Sequence, residues 1–221
     1  MKLAPEGWPF ILGFAAVAAL AWTGAETLRL RGAFLGAAWV FTVLTVFSLW
    51  FFRDPAPRVP SDPVLVLAPG QGKVVDIREV DEPTFMGGPS RRISIFLSVF
   101  DVHVQRAPLS GTVAFREYRP GRYAVAWLEK ASEDNEQASL GLRTDAGPVL
   151  VRQIAGLVAR RIVTDPREGD AVRRGERIGL IRFGSRVDLF LPLEWEVRVE
   201  VGDRVRVGRT VVARQVTEES A

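Results

Sequence analysis

Hydrophobic positions along this chain fall into two regimes. They run almost continuously through the first 52 residues and come in short bursts after residue 63. The stretch 33–52, AFLGAAWVFTVLTVFSLWFF, holds twenty residues without a charge. As a helix it is long enough to cross a hydrocarbon core of ~30 Å. An earlier apolar run, WPFILGFAAVAALAW at 8–22, is short for a span, and Glu26 and Arg29 limit its extension. The pattern predicts a helical hairpin over residues 1–52, crossing the bilayer or lying in one leaflet. A cleaved leader is disfavoured, because the basic segment before the first run is thin and a second run follows at once. Trp50, Phe51 and Phe52 meet Arg53, an aromatic-to-basic succession suited to a membrane interface. Arg29 and Arg31 between the runs balance Arg53 and Arg58 after them, so the positive-inside rule sets no orientation. RDPAPRVPSDP at 53–63 carries four prolines. It cannot continue a helix and reads as a stiff linker.

From 64 to 221 the bursts VLVLAP, GKVVDI, RRISIFLS, GTVAFREY, RYAVAWLE and GPVLVRQIAGLVARRIV are separated by Gly, Pro and Asp. Such spacing predicts a mainly β domain, and no long 3.6-residue period is seen there. EGDAVRRGERIGLI at 168–181 and VGDRVRVGRTVVAR at 201–214 share G-D-x-V-x-x-G-x-x-(I/V). Gly-Asp, then Val, then a second Gly fits a strand, tight turn and strand. Two copies suggest a pseudo-symmetric, hammerhead-like β-sandwich or barrel, as in biotinyl and lipoyl carrier domains. A carrier needs a lysine at a hairpin tip, and no lysine follows Lys130.

Composition narrows the chemistry. No cysteine is present, which removes disulfides and thiolate metal sites. The one histidine, His103, cannot build a histidine-rich metal site, and no metal is expected. Net charge is +3, with lysine only at 2, 73 and 130. Arginine suits bidentate recognition of phosphate or carboxylate, although a GC-rich genome accounts for most of this bias. The arginines are spread without a basic tail, which gives no support to nucleic-acid binding.

The segment RFGSRVDLFLP at 182–192 places Gly184 and Ser185 between two strand-like runs. Glycine inside a strand marks a bulge or a close approach to the backbone. Ser–His hydrolysis would need a base beside the serine and an oxyanion hole, but GSRVD lacks the G-x-S-x-G elbow. A second chemistry acts on the backbone itself. The Ser185 hydroxyl attacks the Gly184 carbonyl to give an ester, and β-elimination releases the upstream chain. The dehydroalanine left behind hydrolyses to a pyruvoyl group. Glycine assists because it tolerates the conformation that lets the attacking oxygen close in. The new carbonyl condenses with an amine and acts as an electron sink, as a bound cofactor does elsewhere.

Five ordered blocks carry a family resemblance: FFRDPAPRVP, RRISIFLSVFDVHVQRAP, KASEDNEQ, VRQIAGLVARRIV and FGSRVDLFLP. Together they resemble the phosphatidylserine decarboxylases in their short bacterial and archaeal form. The resemblance implies a zymogen that cuts itself between Gly184 and Ser185. Ser185 becomes a covalent pyruvoyl cofactor, and His103 acts as acid and base near it. The ordinary histidine pKa of ~6.5 suits that work. The implied reaction, a step of phospholipid biosynthesis, converts phosphatidylserine to phosphatidylethanolamine through a Schiff base. Implied partners are a serine-headed phospholipid, the membrane and the two associated fragments; a homodimer rests on the resemblance alone. The implied location is a bacterial or archaeal cell membrane, with the catalytic domain on the cytoplasmic side. Arg106, Arg160 and Arg161 are candidates for the lipid phosphate, each equally readable as a surface arginine. EPTFMGGPSRR at 82–92 reads as an ordinary loop or as a lid with Phe85 and Met86 at its tip and Gly87-Gly88 as hinge.

Two departures stand out. Many relatives carry an acidic residue in a P-A-D-G-K block, where this chain has PGQGK with Gln71; Asp76, Asp101 or Asp188 could substitute. Longer relatives carry a second histidine where Arg106 stands. Rival readings remain a membrane-tethered hammerhead adaptor, an unprocessed and inactive family member, and a Ser–His hydrolase.

Overall fold

A computed structural model describes residues 2–27, 31–121, 135–156, 161–182 and 185–216. The chain divides into two compact units, Met1–Ala56 and Pro57–Ala221.

In the first unit, β1 (Lys2–Leu3) precedes helices α1 (Trp8–Thr27) and α2 (Arg31–Phe51), and β2 (Arg53–Asp54) follows them. Both helices are long and apolar enough to cross a membrane by length and composition. They pack as an antiparallel hairpin. Trp22 meets Trp39 edge-on at 5.5 Å, Phe14 meets Phe41 at 6.0 Å, and Phe10 stacks on Phe52 at 5.6 Å. Leu12, Leu20, Val40, Val43 and Val46 point outward and are exposed. Proline stops α2 as expected, and Lys2–Leu3 then pairs with Arg53–Asp54 to close the hairpin base. The Arg53 guanidinium lies 4.1 Å over the Trp50 ring.

The second unit is all strand among its described residues. In chain order it holds β3 (Leu65–Leu67), β4 (Gly72–Glu82), β5 (Gly88–Leu97), β6 (Val104–Arg106), β7 (Gly111–Arg119), β8 (Gln137–Thr144), β9 (Gly147–Ala155), β10 (Arg161–Thr164), β11 (Ala171–Val172), β12 (Arg177–Arg182), β13 (Ser185–Leu191), β14 (Glu196–Val197), β15 (Arg204–Val205) and β16 (Val211–Arg214). Eight form one sheet in the order β11-β7-β8-β9-β13-β5-β4-β15. Two three-stranded sheets, β10-β12-β6 and β14-β16-β3, accompany it. Apolar residues at alternate positions, such as Ile93, Ile95 and Leu97 or Val187, Leu189 and Leu191, build one core, as the two-residue period of a strand requires.

The repeat organises this unit, and half of it is hidden from simple inspection. Gly169, Gly175, Gly202 and Gly208 all have positive φ, the turn conformation for which the motif keeps glycine. Gly169 N–H donates to Val113 O and Gly202 N–H to Val74 O, both at 2.8 Å; Gly175 N–H reaches Ala107 O at 2.8 Å and Gly208 N–H reaches Ala68 O at 3.0 Å. Those acceptors lie in a second repeat, APGQGKV at 68–74 and APLSGTV at 107–113. The two copies also bond crosswise, Leu67 N–H to Pro108 O and Arg106 N–H to Pro69 O, both at 3.0 Å. The proline-rich segment is fastened to this unit: Arg174 donates to the carbonyls of Pro60 at 2.6 Å and Leu65 at 3.0 Å, and to that of Asp62.

One close approach tests the framework. A Cβ on Gly72 would stand 1.9 Å from the Phe96 carbonyl oxygen. Gly72→Ala is expected to destabilise the domain by about 1–3 kcal/mol, read as a lower denaturant midpoint.

Candidate active site

Ser185 lies at a corner. Strands β5, β13 and β9 are neighbours in the large sheet, and β6, β12 and β10 are neighbours, in the same order, in a small one. The chain passes from β5 to β6, from β12 to β13 and from β9 to β10. The small sheet is thus the continuation of three central strands beyond a bend, as where strands switch sheets at a sandwich corner. Ser185 opens the middle strand on one side of that bend. It pairs with Leu97 and with Ala155. It is fully buried, and its Oγ meets no hydrogen-bond partner among the described residues. A buried unpaired hydroxyl costs about 1–3 kcal/mol and calls for an explanation. Gly184, the other half of the expected bond, lies outside the described residues.

His103 is fully buried on the far side of the same bend. Its Nδ1 is 3.0 Å from the Asp101 carbonyl oxygen. A carbonyl only accepts, so Nδ1 carries the hydrogen and the neutral ring offers Nε2 as proton acceptor. The backbone is clamped as well: Ile181 N–H donates to the His103 carbonyl at 3.3 Å, and Gln105 Nε2 donates to it at 2.7 Å. Gln153 Nε2 then donates to Gln105 Oε1 at 2.9 Å, and Thr164 Oγ1 donates to Gln153 Oε1 at 2.8 Å. This chain of buried amides fixes the relation between the two sheets. Gln153 sits opposite Val187, on the face that also carries Ser185. Two residues back from Val187 is Ser185, and two back from Gln105 is His103. His103 directly precedes β6 and Ser185 opens β13, and both are fully buried.

Each of the carboxylates considered as substitutes for Gln71 has partners of its own. Asp101 accepts from Ser98 N–H at 2.9 Å and Ser98 Oγ at 2.7 Å, and it is the Asp101 backbone carbonyl that meets His103. Asp188, three residues along from Ser185, is on the opposite face and is held at 2.8 Å by both Nε and Nη2 of Arg186. Asp76 bonds Arg78 and Arg92, each at 2.9 Å. Burial pushes its carboxyl up, but those guanidinium bonds outweigh burial and hold its pKa below the ordinary value. Gln71, half-buried, immediately precedes Gly72.

The three candidate phosphate arginines separate. Arg106 is buried, and its Nη1 donates to the Gly175 carbonyl at 2.9 Å beside Gly208; it fastens the glycine repeat and is not presented to a lipid. Arg160 lies outside the described residues. Arg161 is exposed on β10, directly opposite half-buried Arg182 at the end of β12. The lid reading of 82–92 does not fit. Glu82 accepts from Phe85 N–H at 2.8 Å and Met86 N–H at 3.1 Å and pairs with Arg152 at 2.8 Å. Burial raises its pKa, but these donors prevail and hold it below the usual range. Phe85 stacks on Phe115 at 5.7 Å, so the loop is tied to the sheet.

Sequence reading missed the buried polar residues around the corner: Gln105, Gln153, Asn135 and Glu136. Asn135 Nδ2 donates at 2.7 Å to the carbonyl of Ala155, the cross-strand neighbour of Ser185. The signal was the polar run SEDNEQ abutting a strand. A cavity of about 160 Å³ lined by Ser110, Thr144 and Arg174 lies at the other end of β8 and does not include the corner. Among the described residues no cluster of His, Asp and Glu could hold a metal ion.

Comparison with known proteins places this corner in a family. The sequence profile of the phosphatidylserine decarboxylase family matches residues 44–213. The phosphatidylserine decarboxylase proenzyme of Symbiobacterium thermophilum is 51% identical over 213 residues, covering 96% of this chain and 95% of that one. The proenzyme of the same name from Salinibacter ruber is 51% identical over 177 residues, covering 79% and 78%. That of Saccharopolyspora erythraea is 47% identical over 213 residues, covering 95% and 86%. With matches of this extent, the chain belongs to the phosphatidylserine decarboxylase family.

Proposed function

We propose that this protein is a proenzyme that cuts itself between Gly184 and Ser185 and then decarboxylates phosphatidylserine to phosphatidylethanolamine. The observation that carries the reading is the buried Ser185 Oγ, which meets no hydrogen-bond partner among the described residues. An attacking hydroxyl must not be held by another acceptor, and among the described residues none competes. Nε2 of His103, with Nδ1–H fixed on the Asp101 carbonyl, is the base that takes the hydroxyl proton. A backbone carbonyl already sets the tautomer of the ring, so a neutral residue at Gln71 is compatible with processing. The pyruvoyl group formed at residue 185 supplies the carbonyl that receives the substrate amine and draws electrons as CO2 leaves. His103 then returns a proton to the substrate carbon. Arg161 is the described candidate for the lipid phosphate. The two apolar helices support membrane association, where such a lipid resides.

The test is the intact mass of the purified protein. The expected result is a 1–184 fragment and a 185–221 fragment whose first residue is pyruvoyl in place of serine. A chain that stays whole under every condition of pH and lipid would favour the inactive-member reading instead.

A further inference from the structure

We propose that Glu136 receives the primary ammonium group of the substrate as it approaches residue 185. The proposal rests on the decarboxylase reading above and deepens it. Glu136 is only 4% exposed. Its Oε1 accepts from Tyr118 Oη at 3.0 Å, while its Oε2 is buried with no hydrogen-bond partner among the described residues. A carboxylate oxygen so placed is costly unless a cation or donor answers it.

Its position says which cation. Ala155 N–H donates to the Glu136 carbonyl at 2.9 Å, continuing the register in which Gln137 faces Ile154. Ala155 in turn faces Ser185. Glu136, Ala155 and Ser185 therefore form one row across three strands. Tyr118 faces Ala138, two residues along from Glu136, and its bond to Glu136 places that carboxylate on the face shared by Ala138, Val187 and Ser185. Two strand spacings, ~10 Å, separate Glu136 from residue 185, and Ala155, whose side chain is a single methyl, is the residue between them in the row. The ligand it selects is a primary ammonium compound able to sit over Ala155 with its nitrogen toward residue 185.

The test uses the self-processed protein and Glu136→Gln, which keeps the side chain's size and its bond to Tyr118. Two amines are offered with a mild hydride reductant, and the mass gained by the 185–221 fragment is followed with time. Ethanolamine is cationic at neutral pH; methoxyamine is uncharged. Loss of a charge-assisted hydrogen bond is expected to slow ethanolamine capture about 10- to 100-fold and leave methoxyamine capture unchanged. Glu136→Asp, which keeps the charge but withdraws it, is expected to slow ethanolamine capture a few-fold, again sparing methoxyamine; it serves alone if Glu136→Gln yields no fragment. Equal slowing of both amines, or no slowing of either, overturns the ammonium role. If the 185–221 fragment of the unaltered protein captures neither amine, the decarboxylase reading itself fails, and this proposal with it.

Discussion

Ser185→Ala is expected to leave the chain whole on a denaturing gel and to lower decarboxylation by on the order of 10⁶-fold, the scale seen when a covalent nucleophile is removed. Without the hydroxyl there is no ester, no elimination and no carbonyl at residue 185. The folded precursor should not suffer. The lost oxygen is fully buried and makes no hydrogen bond among the described residues, so replacing it with hydrogen removes an unmet polar group at no cost in those contacts. Thermal unfolding of Ser185→Ala should begin no earlier than that of a precursor trapped before cleavage. Two results would sink the account: fragments ending at residue 184 in the variant, or undiminished CO2 release from phosphatidylserine. A lower melting temperature would mean that Oγ has a structural role.

Asp188→Ala is expected to have the largest effect on folding. Arg186 and Asp188 are both buried on the central strand, joined by two bonds of 2.8 Å. Removing the carboxylate deprives a buried guanidinium of this charged partner, at a cost of about 3–5 kcal/mol. Against a total stability of ~5–15 kcal/mol, that is enough to deplete the soluble protein, and self-cleavage should fall with it. The double replacement Arg186→Met, Asp188→Leu removes both charges and should recover most of the loss, because apolar residues of similar volume tend to match a buried pair. Urea unfolding of the single and double variants decides it. If the single variant unfolds within about 1 kcal/mol of the parent, the behaviour of an exposed pair, the burial argument is wrong.

Different parts of this molecule were legible to different depths. The uncharged run ending at Phe52 defined a helix because length and apolarity alone decide that matter. Alternation in RRISIFLS and VDLFLP gave strands for the same local reason. The Gly-Asp repeat announced its turns, since only glycine sits easily at their positive φ. Its partner, the A-P-x-x-G-x-V repeat, escaped notice because two identical dipeptides among many prolines carry little weight until hydrogen bonds pair them. Within the site, Ser185 and His103 came from family blocks. The partner of His103 was sought among acidic side chains, whereas the structure supplies the Asp101 backbone carbonyl, which residue identity cannot reveal. Arg106 looked available for phosphate because its hold on Gly175, 69 residues away, depends on strand order. Glu136 reads in sequence as one more solvated charge, and only the row through Ala155 gives it a place.

The position of β13, between β5 and β9 in the middle of the large sheet, has a consequence for the life history of the molecule. A single continuous chain refolds by a first-order process whose rate is indifferent to dilution. If the chain is cut before Ser185 as proposed, the central strand belongs to a separate peptide of a few dozen residues, and an unfolded sheet cannot close until that peptide has been found again by diffusion. Folding of the cut form becomes second order, and slow at low concentration. On that reading the protein would get its fold while it is one molecule and keep it thereafter by never opening far enough to let the short piece escape.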